Sequence, residues 1–373
     1  MPDTLQDQDH PPLHSPLRRQ IISLKPLNWI GLTVSYNFEI GRVIDEIAER
    51  GARRVLIQLP EGLRPRALWL AREIEAEVDA TVYISGGTCY GGCDIAIHEA
   101  ESLGVDLIVH YGHNRMLPDM GIPVIYVELR ADFDVEELLN KALSQLEDWR
   151  RVGLASTIQH VHILREVAEG LRRRGFTPKI GGGRGWTPYD GQVLGCDYST
   201  AQSIAEVVDG FLFIGGGRFH PLGLALATDR EVVAADPYTG EVSRIGREET
   251  MRMVRRRMAA IEGVRRARSI GIIVSVKPGQ NRIREAERLR RKLEDGGYRA
   301  GIITLDVVRA ETLNDFTEFD AFIDTACPRI AIDGLPDLRR PMITLREAYA
   351  MMGVIEWGEM LKASYPGEGW RRP

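Results

Sequence analysis

Three of the four cysteines in this 373-residue sequence stand where metal ligands would stand. Cys93 and Cys196 occupy matching contexts, Gly92-Cys93-Asp94 and Gly195-Cys196-Asp197. Each lies 13 residues before an Asp, Asp106 or Asp209, that opens an apolar strand. Cys327 is placed differently, in Ala326-Cys327-Pro328-Arg329 just past the apolar Ile323. A single separated cysteine reads as a small buried hydrophobe. One cysteine in each of three similar segments, always in a loop bearing Gly or Pro, reads instead as three thiolates converging on a soft site. Such a site takes an iron–sulfur cluster or zinc. A cluster held by three thiolates keeps one iron open.

Cys89 forms Cys89-x-x-x-Cys93, but no third cysteine follows two residues later, so the three close cysteines of ordinary radical enzymes are missing. Cys89 has no counterpart in the second segment and is read as a bystander. Gln58-Leu59-Pro60-Glu61-Gly62-Leu63 and Lys277-Pro278-Gly279-Gln280-Asn281-Arg282 fill matching first loops. The planar guanidinium of Arg282 suits a carboxylate such as an amino acid offers. Gln58, Glu61 and Gln280 are its polar companions, and the competing reading is a helix cap or a surface arginine. Gly215–Gly223, with His220 in it, follows a strand; it reads as a loop contacting a nucleotide or methionine, or as a tight turn, and lacks the Gly-x-Gly-x-x-Gly spacing. His160 and His162 lie two apart without a Cys or acidic neighbour, which favours turn or core packing over metal ligation. His110 and His113, placed in a third-strand loop, take the same reading.

The elements that position these residues repeat three times. Each segment has an apolar strand, a polar or Gly/Pro loop, and an amphipathic helix. The strands are Val55–Ile57, Gly153–Ala155 and Ile272–Val274. The helices carry Ala67, Leu70, Ala71 and Ile74; Leu164, Val167, Ala168 and Leu171; and Ile283, Ala286, Leu289 and Leu293. This is the spacing of one helical face, and Gly175 and Gly296 are expected to end the later two helices. An Asp and a further strand follow in each case, at Asp106, Asp209 and Asp320, then a last strand at Val124–Val127, Val232–Ala235 and Met342-Ile343. Strands alternating with helices imply parallel βαβ units. The sequence thus predicts an α/β chain of three repeated small domains, 30–148, 149–262 and 263–373, with parallel sheets around a pseudo-threefold centre. Residues 1–29 are expected to be a disordered or irregular tail. Ligands of open α/β sheets bind beyond the carboxyl ends of the strands, so three such ends would meet where the thiols lie.

Composition excludes several classes. A net charge of −5 gives no global case for nucleic-acid binding. The one basic cluster, Met251–Arg268, reads as a solvated helix face or a docking patch for an acidic partner. No apolar run reaches transmembrane length and no signal peptide is evident, so a cytoplasmic protein is expected. Four cysteines in a chain of this length are not a disulfide framework.

The segments Tyr90-Gly91-Gly92-Cys93-Asp94, Gly191-Gln192-Val193-Leu194-Gly195-Cys196, Phe219-His220-Pro221-Leu222-Gly223, Asp236-Pro237-Tyr238 and Ala326-Cys327-Pro328-Arg329 resemble the archaeal diphthamide synthase family, the 2-(3-amino-3-carboxypropyl)histidine synthases. The resemblance covers about residues 38–360. Gly92 stands where alanine is the commoner family residue, and Cys89 is outside the family's ligand pattern. The resemblance implies a [4Fe–4S] cluster held by Cys93, Cys196 and Cys327, with S-adenosylmethionine as substrate at the open iron. One-electron reduction would cleave the sulfur–Cγ bond. The 3-amino-3-carboxypropyl group would then add to C2 of a histidine on elongation factor 2, and 5′-methylthioadenosine would leave. It also implies a homodimer served by an electron donor. Two other readings stand beside it. One is a quinolinate-synthase-like enzyme using a three-Cys cluster as Lewis acid, whose dicarboxylate motifs are not evident here. The other is a non-catalytic subunit that docks elongation factor 2.

Overall fold

A computed structural model describes residues 34–357 and residue 360. The tail expected over 1–29 lies outside the described residues. The first unit contains β1 (Ser35–Tyr36), α1 (Ile40–Arg50), β2 (Arg54–Gln58), α2 (Ala67–Glu77), β3 (Thr81–Ile84), α3 (Ile97–Leu103), β4 (Leu107–Tyr111), β5 (Val124–Val127) and β6 (Ala131–Asp132). The second contains α4 (Val135–Ala142), β7 (Arg151–Ser156), α5 (Leu164–Arg173), β8 (Thr177–Ile180), α6 (Ser199–Gln202), β9 (Gly210–Ile214), α7 (Phe219–Thr228), β10 (Val232–Ala235) and β11 (Val242–Ile245). The third contains α8 (Arg247–Arg265), β12 (Ser269–Ser275), α9 (Ile283–Asp295), β13 (Arg299–Leu305), α10 (Ala310–Asp315), β14 (Ala321–Asp324), α11 (Pro328–Asp333), β15 (Met342–Thr344) and α12 (Leu345–Met351).

Three parallel sheets result, ordered β3-β2-β4-β5, β8-β7-β9-β10 and β13-β12-β14-β15; β11 extends the second sheet antiparallel. The strand order is the same each time, second-first-third-fourth. Central strands β4, β9 and β12 are buried along their whole length, as parallel strands covered on both faces must be. Each sheet accordingly has two apolar clusters, one per face.

The repeat begins one element earlier than the sequence pattern suggested. Val43 and Ile47 of α1 pack on the first sheet, Leu138 and Leu139 of α4 on the second, and Ile261 and Val264 of α8 on the third. A leading helix shares each face with the crossover helix. The boundary expected at 262/263 therefore falls inside the continuous helix α8. The basic face of α8 is also not wholly solvated, because Arg257 is buried against Glu347 at 2.6 Å. Gly175, with φ 85°, ends α5 as expected; after α9 the left-handed residue is Gly297, φ 87°, one position past Gly296.

The aspartate before each third strand is a clamp. Asp106 accepts from the backbone N–H groups of Arg53 and Arg54, Asp209 from those of Arg150 and Arg151, and Asp320 from those of Arg268 and Ser269, all at 2.7–3.0 Å. Each fixes the start of the first strand against the third. Asp209 also takes the Arg151 guanidinium at 2.6 Å. These contacts, the guanidinium first, hold the Asp209 carboxyl down to about 2 from an ordinary 3.8. A depressed carboxyl stabilises the fold above its unfolded pKa and loses that contribution as pH falls through its folded value, here between about pH 4 and 2. Asp209→Asn is expected to flatten the unfolding midpoint against pH across that window. An acid limb identical to wild type would remove the clamp's energetic role.

Candidate metal centre

The second-first-third strand order puts the connection between second and third strands at the carboxyl edge of each sheet, the region where ligands bind. Cys93 lies between β3 and α3, and Cys196 between β8 and α6. Cys327 directly follows β14 and caps α11, with Pro328 as the first helical residue. A buried Asp324 carboxylate takes the Ala326 N–H at 2.8 Å and so shapes the Cys327 turn. Burial pushes that carboxyl up to about 7.

The three thiols are half-buried and none is in a disulfide. They come from three units, yet Cys196 senses the other two and Cys327 senses Cys93. Burial raises the Cys196 thiol well above its ordinary value, and Cys327 and Cys93 raise it further. Burial and then Cys93 push Cys327 up to about 12. Burial also raises Cys93, partly offset by the Gln280 amide, whose Nε2 donates to Sγ at 3.5 Å. Three neighbouring thiols that resist ionisation as bare anions are stabilised as thiolates by a cation among them. This donor set therefore fits a soft metal or iron–sulfur cluster, and Cys93, Cys196 and Cys327 would hold it.

Contacts between units close around these thiols. Lys277 of the third unit donates to Asp94 at 2.8 Å and to Thr88 at 2.6 Å in the first, with both charged groups buried. The Gly279 N–H donates to the Cys93 carbonyl at 2.9 Å. Arg329 of the third unit lies 4.0 Å over the Phe219 ring of the second and donates to the Phe219 carbonyl at 3.2 Å. Between the first and second units, Gln192 donates to Asn114 at 2.7 Å and Asn114 to the Trp186 carbonyl at 3.1 Å.

Gly279 is held close by this packing. A Cβ there would lie 2.5–2.7 Å from the Cβ, Cα and carbonyl oxygen of Cys93. Gly279→Ala is expected to lower iron uptake on anaerobic reconstitution and to destabilise the chain by about 1–3 kcal/mol, the usual range for overpacking. Full iron content with an unchanged urea midpoint would contradict the contact.

The other expected site residues divide. Gln280 reaches Cys93, and Arg282, buried at the start of α9, lowers the Cys196 thiol by its charge. His220 stacks on Phe213 and meets Phe219 edge-on, and burial pushes its pKa down to about 3, so its imidazole is neutral. Gly215–Gly223 is a loop only to Arg218, because α7 begins at Phe219. Gln58 is hydrogen-bonded within its own unit. Its amide donates to the Thr88 and Asp94 carbonyls and accepts from Ala96 N and from His110, so all its positions are used. Gln58 is a strut of the Cys93 loop. Glu61 is exposed and lies 3.8 Å from Arg64, and no described contact ties it to the thiols. His162 does have an acidic partner, Asp132 at 3.0 Å, supplied by the first unit. His110 lies on β4 rather than in a loop.

The sequence reading missed Lys277, Asn114 and the bridging role of Arg329. Their partners lie in other units, so no local pattern marked them. The Cys-Pro-Arg string was the only signal that pointed at Arg329.

Fold and site together define an α/β protein of three similar units whose candidate ligand thiols, one from each, lie near enough for Cys196 to sense the other two. The family model for diphthamide synthesis proteins matches residues 59–362, and the chain belongs to that family. The 2-(3-amino-3-carboxypropyl)histidine synthase of Pyrococcus horikoshii is 40% identical over 315 residues, covering 84% of this chain and 90% of the relative. Subunit 1 of the enzyme of that name from Gallus gallus is 30% identical, covering 87% of this chain and 79% of the relative. The crystal structure of Dph2 from Pyrococcus horikoshii with a 4Fe-4S cluster superposes with a TM-score of 0.77 at 38% identity, over 86% of this chain and 92% of that one. Membership sets aside the quinolinate-synthase reading. Among the described residues no helix is long and apolar enough to cross a membrane.

Proposed function

We propose that this chain is a 2-(3-amino-3-carboxypropyl)histidine synthase. It transfers the 3-amino-3-carboxypropyl group of S-adenosylmethionine to C2 of a histidine on elongation factor 2, the first step of diphthamide formation. What supports this reading is that a chain of the diphthamide synthesis family carries Cys93, Cys196 and Cys327, one in each unit, with Cys196 sensing the charge of both others. When bound, a [4Fe–4S] cluster supplies the electron that breaks the sulfur–Cγ bond, with 5′-methylthioadenosine as the product that leaves.

The residues of the chain bind and orient. The Gln280 amide donates to Cys93 Sγ, and hydrogen bonds to a ligand sulfur tune the cluster's potential. Arg282 supplies a buried positive charge near Cys196 for the methionine carboxylate. His220, held neutral, lines the same space without adding charge. Lys277 and Arg329 keep the three cysteine loops in register. A non-catalytic docking subunit would have no use for three convergent thiols and an open iron. We further assign the units to three domains, about 30–148, 149–262 and 263–373, with the leading helices α4 and α8 reaching across those bounds to the second and third. The working protein is a homodimer in the cytoplasm that takes its electron from a separate donor.

The decisive experiment is anaerobic reconstitution with reductant, S-adenosylmethionine and elongation factor 2. Formation of 5′-methylthioadenosine and the matching mass gain on the factor are expected. A fully loaded cluster that releases no 5′-methylthioadenosine would overturn the proposal. For Arg282, one charge-assisted hydrogen bond is worth roughly 1.5–3 kcal/mol, about one to two decades of affinity. Arg282→Ala is expected to weaken S-adenosylmethionine binding by that much at unchanged iron content. Arg284→Ala, exposed on α9, is expected to do less. Unchanged affinity in Arg282→Ala would move the carboxylate site elsewhere.

A further inference from the structure

The first unit carries a second group of ligand-type side chains that the three-thiol centre does not use. Cys89 Sγ, His110 Nε2 and His113 Nδ1 all lie within 4.8 Å of one another. The two ring nitrogens are 3.0 Å apart, and Sγ is 4.0 Å from His113 Nδ1. Cys89 and His110 are buried and His113 is half-buried. The Cys89 thiol faces this group and the Tyr111 carbonyl, 3.8 Å away.

The surroundings fix the tautomer of His110. The Gln58 Nε2 donates to two backbone carbonyls, Thr88 at 2.7 Å and Asp94 at 2.8 Å. Its Oε1 therefore faces His110 Nδ1 at 2.9 Å, and that nitrogen carries the proton. Nε2 is left with a lone pair aimed at His113 and Cys89. This is how a ligating histidine is usually prepared, with one ring N–H anchored on an oxygen and the other nitrogen free. Burial keeps both rings neutral, His113 with its pKa pushed down to about 4.

We propose that Cys89, His110 and His113 form a mononuclear site for a borderline-soft divalent cation of the zinc class, separate from the three-thiol centre. One thiolate and two imidazoles suit such an ion, and the fourth tetrahedral position falls to solvent. Zinc–nitrogen and zinc–sulfur bonds of about 2.0–2.1 and 2.3 Å give tetrahedral edges of about 3.3 Å between nitrogens and about 3.6 Å between nitrogen and sulfur. The nitrogen pair opens by a few tenths of an ångström from 3.0 Å, and the sulfur closes by a similar amount from 4.0 Å. On binding, Cys89 releases its proton to solvent, and His113 moves its own from Nδ1 to Nε2. No electron is exchanged. The ion would join the segment leading to Cys93 to the end of β4, so it would stiffen the loop that presents the first thiol. Without it, the same atoms form a His113-to-His110 hydrogen bond beside a protonated thiol.

This inference does not depend on the catalytic proposal, and its test reads metal content. Full-length protein with its cluster reconstituted is equilibrated with Zn²⁺, desalted, and measured for zinc and iron. One zinc per chain beyond the iron is expected. Cys89→Ser and His113→Ala are each expected to lower zinc affinity by more than the tenfold to hundredfold typical of lost outer-shell partners, at unchanged iron. Cys93→Ser is expected to lose iron and keep zinc. Zinc should raise the wild-type melting temperature where Mg²⁺ does not. Should Cys89→Ser fail to fold, His113→Ala at its half-exposed position carries the decision. Zinc uptake untouched by either variant, no zinc at all, or zinc that vanishes with Cys93→Ser would each overturn the site. The last result would mean that zinc had occupied the cluster thiols.

Discussion

Alanine at Cys93, Cys196 or Cys327 is expected to abolish or cripple iron binding, while Cys89→Ala keeps its iron. The three thiols come from three units, and charge on Cys93 is felt by both Cys196 and Cys327. Deleting one leaves two ligands for a cluster that relies on thiolates. It also leaves the remaining thiols buried, where they favour the protonated form. Ligation requires deprotonation, so cluster uptake releases protons and is favoured by rising pH. The Cys89 thiol turns toward Tyr111 and His113 instead. Iron analysis and the visible charge-transfer absorption of anaerobically reconstituted variants give the answer. A Cys89→Ala protein without iron, or full iron in any of the other three, would sink the assignment.

The largest stability effect is expected at Glu347. Arg257 of α8 and Glu347 of α12 form a two-pronged pair at 2.8 and 2.6 Å, and both side chains are only 7% exposed. Arg257 also donates to the Ala331 carbonyl at 2.5 Å and the Met342 carbonyl at 3.0 Å. Glu347 closes a capping box with Thr344 at the start of α12. Removing one member of such a pair leaves a buried charge uncompensated, which costs about 3–5 kcal/mol, whereas replacing both by apolar groups of similar volume is often neutral. Glu347→Ala is therefore expected to destabilise the chain by about 3–5 kcal/mol in urea unfolding. The double variant Arg257→Met with Glu347→Leu is expected to recover most of that loss, less about 1 kcal/mol for the cap. A double variant as unstable as the single one would show that the cap and carbonyl contacts, not the ion pair, dominate.

The sequence alone determined the repeated strand–loop–helix plan, because alternation and 3.6-residue periodicity are local properties of the chain. It also determined the three clamp aspartates as markers of the third strands, and it singled out Cys93, Cys196 and Cys327, one to a segment, as the candidate ligands. Tertiary structure decided what lies across units. Lys277 and Asp94 are 183 residues apart and Arg329 and Phe219 are 110 apart, separations at which periodicity carries no information. It decided that α1, α4 and α8 lead their units, since covering both faces of a parallel sheet is a demand of the assembled layer. It gave the Gln58 amide a partner within its own unit at every position. It also joined Cys89 to His110 and His113, which the sequence left as a bystander and two packing histidines. β3 and β4, each parallel to β2 between them, bring the loop after one and the end of the other to the same sheet edge, and that proximity exists only once the strands have paired.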